Sequence, residues 1–233
     1  MKLIDLAALD QDEKSTADII NAVCHELGFD YASYATMNTA GGDVQGYANY
    51  PDEWKIHYGS HGYHKFDPTI YTSMLSIAPV DWGRFQKDEK FNAVFRDAHD
   101  FGITSRGLTV PVRGPYGECG LLNVTRDCSD AEWDKYKRYV MGDLQMAAVN
   151  AHDTVMQSDV LSRALYLPSL STREKEILQW VAEGKSQQDI GDILSISHRT
   201  VEVHMRSGRE KLGALTTPQA IGRAIGLGLI TPG

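Results

Sequence analysis

The stretch "GKSQQDIGDILSISHRTVEVH", residues 184–204, decides the fold of the C-terminal part of the chain. Apolar residues at helical spacing end at Leu194, the segment 195–197 interrupts the pattern, and a second helical pattern continues through Val201. A single straight helix would keep all of its side chains around one axis, whereas a tight turn lets one helix brace another. The stretch therefore predicts two helices joined by a three-residue turn, with the second helix pushed against a partner.

Start signals surround this stretch on both sides. Each of four short helical patterns begins with such a signal. The signals are the capping boxes Ser171–Glu174 and Ser186–Asp189, the cap Ser197, and Thr217-Pro218. The third pattern runs roughly to Leu212, and no strand signal interrupts the series. The sequence thus predicts a small all-α, four-helix domain over 171–233. Because helix-turn-helix spacing is degenerate, a solvated face on a plain helical bundle remains the alternative.

The bulk properties are those of an ordinary globular protein of 233 residues. The chain has three cysteines without CxxC spacing, so neither a disulfide framework nor a zinc ribbon is indicated. No apolar run approaches the roughly 18 residues that span a membrane, and the N-terminus lacks a signal-peptide layout. We therefore expect a cytoplasmic protein without a membrane partner.

Charge is distributed unevenly. Residues 1–162 contain 14 Lys and Arg against 24 Asp and Glu, for a net charge of −10, whereas residues 163–233 contain 9 against 7, for +2. Nucleic acid would be repelled by the first part, so double-stranded DNA would dock on the second. The major groove admits one helix, and the third helical pattern carries suitable polar and basic side chains. The candidates for DNA contact are Arg199, Thr200, His204, Arg206 and Arg209.

The first 157 residues mix strand and helix patterns. They predict helices over 12–28, 52–63, 67–77, 87–102 and 130–157, strands over 31–38 and 44–50 joined through the turn 41–43, and a hairpin in which "PYGE" joins "RGLTVPVRG" to "CGLLNVTRD". The fold class is therefore α+β, with an N-terminal α/β/α sandwich on an antiparallel sheet over 1–157. Weak periodicity ending in a proline makes 158–170 a linker to the helix-turn-helix domain at 171–233.

The C-terminal part closely resembles the DNA-binding domain of LuxR-type transcription regulators. The match is ordered over about sixty residues and runs through Leu170, Arg173-Glu174, Leu178, Gly184-Lys185-Ser186, Ile190, Leu194, Ile196-Ser197, Thr200-Val201, His204, Lys211-Leu212, Ala220 and Gly228-Leu229-Ile230. Two positions depart from the family: Gly191 replaces the usual Ala, and Gly208 replaces an aliphatic residue. Each glycine costs a helix about 1 kcal/mol relative to Ala, so the third helix is expected to be marginal until something supports it.

Residues 47–107 resemble the autoinducer-binding domain of acyl-homoserine-lactone receptors. The matching positions are Tyr50, Trp54, Tyr58, Asp67, Pro68, Trp82 and Gly107. The acid cluster and five-stranded α/β pattern of a phosphorylated receiver domain are not evident. The resemblance implies a quorum-sensing transcription regulator whose ligand is a small molecule, with no cofactor and no metal.

The resemblance also assigns roles that suit the chemistry of such a lactone. The Trp54 indole can donate to the lactone carbonyl, the Asp67 carboxylate can accept from the amide N–H, and Tyr50 can donate to the amide carbonyl. Tyr58 and Trp82 would supply apolar walls with polar edges. Spacing of four residues would put Tyr50, Trp54 and Tyr58 on one helical face if one helix includes all three.

One position departs from the receptors in a way that concerns the ligand. Asn123 stands where they commonly carry the Ser or Thr that hydrogen-bonds the acyl carbonyl, and Asn is larger and offers both a donor and an acceptor. Tyr34 and Thr36 on the first strand are weaker candidates for lining the acyl tail.

Other interpretations of these residues stay open. The aromatic stripe could be plain core packing, and Asp67-Pro68 could be a helix start. The spacing of His57, His61 and His64 could present a metal-binding face. Cys119 could be a nucleophile, but a buried strand cysteine is more often inert, and with no G-x-S-x-G, P-loop or dinucleotide motif we expect no enzyme. A regulator of this fold could also sense a non-lactone molecule or none.

The resemblance implies a homodimer that reads an inverted DNA repeat, because two-fold proteins read two-fold sites. Dimer contacts are expected from the long helix 130–157 and from the helix Thr217–Gly228. RNA polymerase would be a further partner if the protein is an activator.

Overall fold

A computed structural model describes residues 3–5, 16–37, 44–114, 118–157 and 168–231. The chain divides into two compact units, one containing a β-sheet and one containing the last helices. The turn expected at 41–43, most of the "PYGE" turn and the linker residues 158–167 lie outside the described residues. None of the described helices is both long and apolar enough to cross a membrane.

The first unit alternates strands and helices. Its strands are β1 (Leu3–Asp5), β2 (Tyr31–Met37), β3 (Val44–Ala48), β4 (Val80–Asp81), β5 (Gly107–Arg113) and β6 (Cys119–Thr125), and its helices are α1 (Thr16–Leu27), α2 (Asp52–His61), α3 (Pro68–Met74), α4 (Glu89–Asp100) and α5 (Asp130–Gln157). Short 3₁₀ turns follow α2 and β4. Each expected strand and helix is present among the described residues, several with shifted ends, while residues 12–15 of the first expected helix and residue 38 of the first expected strand lie outside them.

The strands form one sheet in the order β1-β3-β2-β6-β5-β4. From β3 to β4 in this order, each pair of adjacent strands is antiparallel, and the expected hairpin pairs β5 with β6 from Gly107↔Thr125 to Arg113↔Cys119. The edge strand β1 differs, because it pairs with β3 in parallel. Three residues are too few to show a strand period, so the sequence pattern did not reveal this strand.

Helices cover both faces of the sheet, which confirms the α/β/α sandwich. On one face α1 and α5 pack together, and the Tyr34 hydroxyl of β2 hydrogen-bonds Nδ1 of His152 on α5 at 2.7 Å. On the other face Ile70 of α3 packs with Met37 and Leu121, while aromatic side chains from α2 and α4 form a second cluster. The space that remains between the sheet and α2–α4 contains the cavity described below.

Two helices end earlier than the apolar pattern indicates. The structure ends α2 at His61, because Gly62 adopts the left-handed conformation with φ of 64° and its N–H caps the last turn. The helix α3 ends at Met74 rather than at residue 77. The boundary between them matters for the site, because it makes Asp67 the N-cap of α3.

The second unit is all-helical, as predicted. Its helices are α6 (Thr172–Ala182), α7 (Gln187–Leu194), α8 (His198–Lys211) and α9 (Thr217–Gly226). Both expected capping boxes are present, Ser197 caps α8, and Ser195 turns the chain in the left-handed conformation between α7 and α8. The cap of α9 is Thr216 rather than the expected Thr217, because its hydroxyl accepts from Gln219 N.

Packing against α6 supports the helix α8 at its glycine, Gly208. Gly208 is buried against α6, and a Cβ there would lie 3.3 Å from Leu178 Cδ1. The small residue therefore lets α6 and α8 approach closely, which offsets its low helix propensity. The expectation of a marginal third helix does not take this contact into account.

Candidate functional site

A cavity of about 610 Å³ lies in the first unit between the sheet and α2–α4. Most of its wall is apolar, with a smaller set of polar groups, as is usual for small-molecule sites. The apolar lining includes Ile70, Val94, Phe95, Ala98 and Ile103, and the polar lining includes Ser33, Tyr50, Trp54, Tyr58, Asp67, Trp82 and Asn123. Residues far apart in the sequence thus meet in one pocket.

Asp67 caps α3 and also faces the cavity. Its Oδ1 accepts from the backbone N and the hydroxyl of Thr69, both at 2.8 Å, and its Oδ2 accepts from the Tyr58 hydroxyl at 2.8 Å. Burial raises the pKa of Asp67, although these hydrogen bonds oppose the shift. The helix-start role and the cavity role therefore hold together.

The two tyrosines beside this carboxylate remain hydrogen-bond donors. Burial raises the pKa of Tyr50 and of Tyr58, so both hydroxyls keep their protons. The four-residue spacing would have allowed Tyr50 to lie on the same helix as Trp54, but Tyr50 does not belong to α2. Pro51 is the extended N-cap of that helix and separates Tyr50 from it. Tyr50 still lines the cavity, with its ring 5.5 Å from that of Tyr31.

Trp54 is held by rings on several sides. It is 4% exposed, and its ring lies within 6.1 Å of those of His57, Tyr58, Tyr63 and Phe101. No described residue accepts a hydrogen bond from its indole N–H. Because Trp54 lines the cavity, this N–H can donate to an acceptor of a bound molecule.

A chain of hydrogen bonds runs beneath the cavity along the sheet. Trp82 Nε1 donates to Thr109 Oγ1 at 2.8 Å, Thr109 Oγ1 donates to Asn123 Oδ1 at 2.7 Å, and Asn123 Nδ2 donates to Ser33 Oγ at 3.2 Å. Gly107 makes room for the Trp82 ring, because a Cβ there would come within 2.4 Å of it. The resemblance to the receptors indicated Trp82 and Asn123 but not Thr109 and Ser33.

Of the two weaker candidates on β2, one borders the cavity and the other does not. Alternation along the strand turns Ser33 and Ala35 toward the cavity. Tyr34 borders the cavity, but its hydroxyl bonds His152 on the opposite face of the sheet. Thr36 is buried and is not part of the lining. Both faces of β2 are covered by helices, so its residue pattern gives no sign of which face looks into a cavity.

The three histidines considered as metal ligands do not converge on one point. His57 Nε2 lies 2.9 Å from Asp97 Oδ2, His61 Nδ1 lies 2.9 Å from the His57 carbonyl oxygen, and His64 is buried on the turn after α2. Within the described ranges, no group of three or more His, Cys, Asp or Glu side chains has the arrangement of a metal site. Cys119 is fully buried in β6, which is typical of a packing cysteine.

In the second unit, α8 presents one face to its own helices and one face outward. Val201 and Gly208 are buried against the unit, and the exposed side chains on the outer face are Arg199, Glu202, Val203, Arg206 and Glu210. Of the other DNA-contact candidates, Thr200, His204 and Arg209 are half-buried, and Thr200 Oγ1 lies 2.8 Å from Ser197 Oγ. Spacing of three and four residues from Arg199 would have indicated Glu202 and Val203.

Glu174 connects α6 to α8 behind this face. Its Oε2 accepts from Ser171 N at 2.7 Å and from Lys211 Nζ at 2.8 Å, and its Oε1 accepts from the Ser207 hydroxyl at 2.7 Å. Burial alone would raise the pKa of Glu174, but these donors overcome it and lower the pKa to about 2. The outward helix is thus fixed to its neighbour by a buried carboxylate.

Comparison with known proteins gives two family matches that together span most of the chain. Residues 12–155 match the autoinducer binding domain, and residues 168–224 match the bacterial regulatory proteins of the luxR family. A putative HTH-type transcriptional regulator of Sinorhizobium fredii, y4qH, is 33% identical over 98% of this chain and 72% of its own length. The transcriptional activator protein RaiR of Rhizobium etli is 35% identical over 74% of this chain and 72% of its own.

Solved structures show the same fold. Escherichia coli SdiA superposes with a TM-score of 0.75 at 23% identity, over 95% of this chain and 94% of that one. A structure of SdiA in complex with octanoyl-rac-glycerol superposes with a TM-score of 0.71 at 25% identity, over 94% and 91% of the two chains.

Proposed function

The chain belongs to the luxR family of bacterial regulatory proteins with an autoinducer binding domain, and from this premise we propose that its cavity binds an N-acyl-homoserine lactone. The family consists of DNA-binding transcription regulators and not of enzymes. We further propose that the ligand acts on a homodimer that binds a specific inverted DNA repeat through α8.

The observation that carries the ligand proposal is the pattern of donors and acceptors in the cavity. Asp67 offers an acceptor for the amide N–H, Trp54 offers an indole N–H for the lactone carbonyl, and Tyr50 offers a hydroxyl for the acyl carbonyl. Apolar side chains of α4, among them Val94 and Phe95, suit the acyl tail. Each polar group of such a ligand thus has a complementary group in the wall.

A non-lactone ligand is the second candidate. SdiA has been solved with octanoyl-rac-glycerol, an acyl ester whose free hydroxyl groups could also donate to a buried carboxylate. An ester lacks the amide N–H, so the two ligand classes differ at the group that would meet Asp67.

We expect an N-acyl-homoserine lactone to raise the melting temperature of the full chain. Ligand at one hundred times its Kd stabilises the folded state by about 2.7 kcal/mol, which shifts the melting temperature by roughly 5–10 °C in a chain of this size. The measurement is a thermal-shift panel of straight, branched and aromatic acyl lactones, with 1-octanoylglycerol as the non-lactone arm. A shift with the glycerol ester alone would replace the lactone proposal with the second candidate.

The dimer proposal is supported by an apolar stripe on the outside of α5. Tyr139, Met146 and Val149 are 83%, 65% and 53% exposed, and their spacing puts them on one helical face beside Gly142. Apolar side chains at such spacing commonly meet a second helix in a two-fold dimer. Arg199 and Arg206 on α8 would then contact half-sites about one helical turn apart.

We expect Met146→Glu to shift the chain toward monomer and to weaken binding to an inverted repeat by at least tenfold, because a charge would be buried between the two α5 helices. Leu75→Glu is the matched control, since Leu75 is 89% exposed in the loop after α3 and outside the stripe. Sedimentation and a DNA mobility shift would measure both effects. A monomeric wild type that protects a single half-site would contradict the proposal.

A further inference from the structure

Thr109 lies in the middle of the hydrogen-bond chain but outside the cavity. It is fully buried in β5, whereas Trp82, Asn123 and Ser33 all line the cavity wall. Its hydroxyl has two described side-chain partners, Trp82 Nε1 at 2.8 Å and Asn123 Oδ1 at 2.7 Å. A ligand would therefore not touch Thr109, yet Thr109 contacts two residues that a ligand would meet, Trp82 and Asn123.

The chemistry of the Trp82 indole fixes the direction of this chain. An indole N–H can only donate, so the Thr109 oxygen accepts from it. The single hydroxyl proton of Thr109 is then left for Asn123, and only Oδ1 of that side chain can accept it. If the amide were rotated by half a turn, its nitrogen would face Thr109 and the hydroxyl proton would lose its acceptor. A buried donor without an acceptor disfavours the rotated amide by about 5- to 150-fold.

The orientation of Asn123 decides what the cavity wall offers. With Oδ1 turned to Thr109, the amide nitrogen faces Ser33 and the cavity. One N–H donates to Ser33 Oγ at 3.2 Å, which leaves the second N–H as a donor. We propose that Thr109 is a positioning residue that keeps Asn123 as a donor and thereby selects ligands with an acceptor-only carbonyl at this point. This inference rests on the proposed function and makes Asn123 a second donor to the acyl carbonyl, whose oxygen can accept from both Tyr50 and Asn123.

The test compares the ligand affinity of three full-length variants with that of wild type, and N-octanoyl-homoserine lactone is the probe. Thr109→Val removes the hydroxyl and with it the bias on the amide, so the Kd should rise at least about fivefold. Thr109→Ser keeps the hydroxyl and should restore affinity to within about twofold of wild type. Thr125→Val is the matched control, because Thr125 is equally buried in the same sheet and outside the cavity lining.

A double-mutant cycle separates positioning from general damage. In an Asn123→Ala background the further change Thr109→Val should leave the Kd unchanged, since the side chain through which it acts is gone. An equal loss in both backgrounds would overturn the inference, and so would a Thr109→Val protein that binds as wild type does.

A comparison at Asn123 itself keeps the test decisive if Thr109→Val does not fold. Asn123→Asp presents acceptors where the wild type presents a donor, so it should bind the lactone more weakly than Asn123→Ala. The reverse order would overturn the inference. Absence of lactone binding to the wild type would overturn the proposed function as well, whereas binding that does not respond to these changes overturns the Thr109 inference alone.

Discussion

Asp67→Asn should weaken binding of an N-acyl-homoserine lactone by about 5- to 150-fold while leaving the unliganded fold at least as stable as wild type. Asn nearly conserves the volume of Asp and keeps an oxygen for the two hydrogen bonds from Thr69. The change removes the charge and the second oxygen, to which Tyr58 donates at 2.8 Å. The amide N–H of the ligand would then meet an amide nitrogen rather than a carboxylate oxygen.

The stability part of this prediction follows from the pKa of Asp67. Burial raises that pKa above its ordinary value of 3.8. Between the two values the folded chain holds a proton that the unfolded chain has released, so stability falls as the pH rises through this window. Ionised Asp67 therefore destabilises the unliganded fold at neutral pH. Asp67→Asn removes that cost, and its advantage should disappear below about pH 4.

The matched control is Asp88→Asn. Asp88 caps α4 by accepting from Phe91 N at 2.9 Å, and it is not part of the cavity lining. It should change the affinity less than twofold. Ligand titration gives the Kd, and thermal unfolding gives the stability. A folded Asp67→Asn protein with wild-type affinity would remove Asp67 from the site, and with it much of the case for a lactone.

Trp54→Phe tests the lactone carbonyl of the ligand by the same titration that tests its amide N–H in Asp67→Asn. Phe keeps most of the apolar area of Trp but removes the N–H donor, which has no described protein acceptor. The double variant with Asp67→Asn should lose less affinity than the sum of the two losses, because both side chains orient one small rigid group. Strict additivity would indicate that they act on separate parts of the ligand.

Local signals in the sequence were enough to predict where the first two helices of the second unit begin. Each S-x-x-E or S-x-x-D box satisfies backbone groups within four residues, so Ser171 with Glu174 and Ser186 with Asp189 fix helix starts independently of the rest of the chain. The contact of Gly208 with Leu178 could not be read in this way, because it joins two helices thirty residues apart.

The cavity shows where pattern arguments stop. The resemblance to the receptors indicated Asp67 and Trp54, which the structure brings to the cavity. The condition under which spacing would put Tyr50 on the same helical face as Trp54 is not met, because Tyr50 precedes the helix. Pro51 disfavours a helical conformation of the residue before it, so α2 begins after Pro51. The spacing of the aromatic residues alone does not show this helix boundary. The link from Trp82 through Thr109 to Asn123 depends on the register of β5 with β6, and long-range register leaves no signal in one strand.

Glu174→Gln should destabilise the helical unit by about 2–3 kcal/mol and make the α8 amides exchange roughly 30-fold faster at pH 7. Glutamine can replace the carboxylate in the capping box, because one amide oxygen can still accept from Ser171 N. Ser207 donates at 2.7 Å to the other oxygen, Oε1, and the amide nitrogen that replaces this oxygen cannot accept. Lys211 lies 2.8 Å from the oxygen that is kept, but it loses the negative charge that it pairs with. The estimate stays below the largest values for buried pairs because the Lys211 side chain is 41% exposed and can turn to water.

Asp189→Asn is the control that isolates this interhelical role. Asp189 occupies the same position in the capping box of α7, and its Oδ2 accepts from Ser186 N at 3.0 Å and from the Ser186 hydroxyl at 2.7 Å. It is exposed, and its described hydrogen-bond partner is Ser186 in its own box. Its loss should stay below about 1 kcal/mol. Equal effects of the two changes would show that Glu174 acts only as a helix cap.

The pH dependence gives Glu174 a second signature. Its pKa is about 2 in the folded chain, held there by Lys211, Ser171 and Ser207 against the burial that raises it, and 4.5 is its ordinary value. A carboxylate with a lowered pKa contributes stability that is fully present above pH 4.5 and is lost as the pH falls toward 2. The difference in α8 exchange between wild type and Glu174→Gln, corrected for the intrinsic rate, should therefore be largest at neutral pH and shrink by pH 3. A difference that stays constant over this range would mean that the charge on Glu174 does not hold α8 against α6.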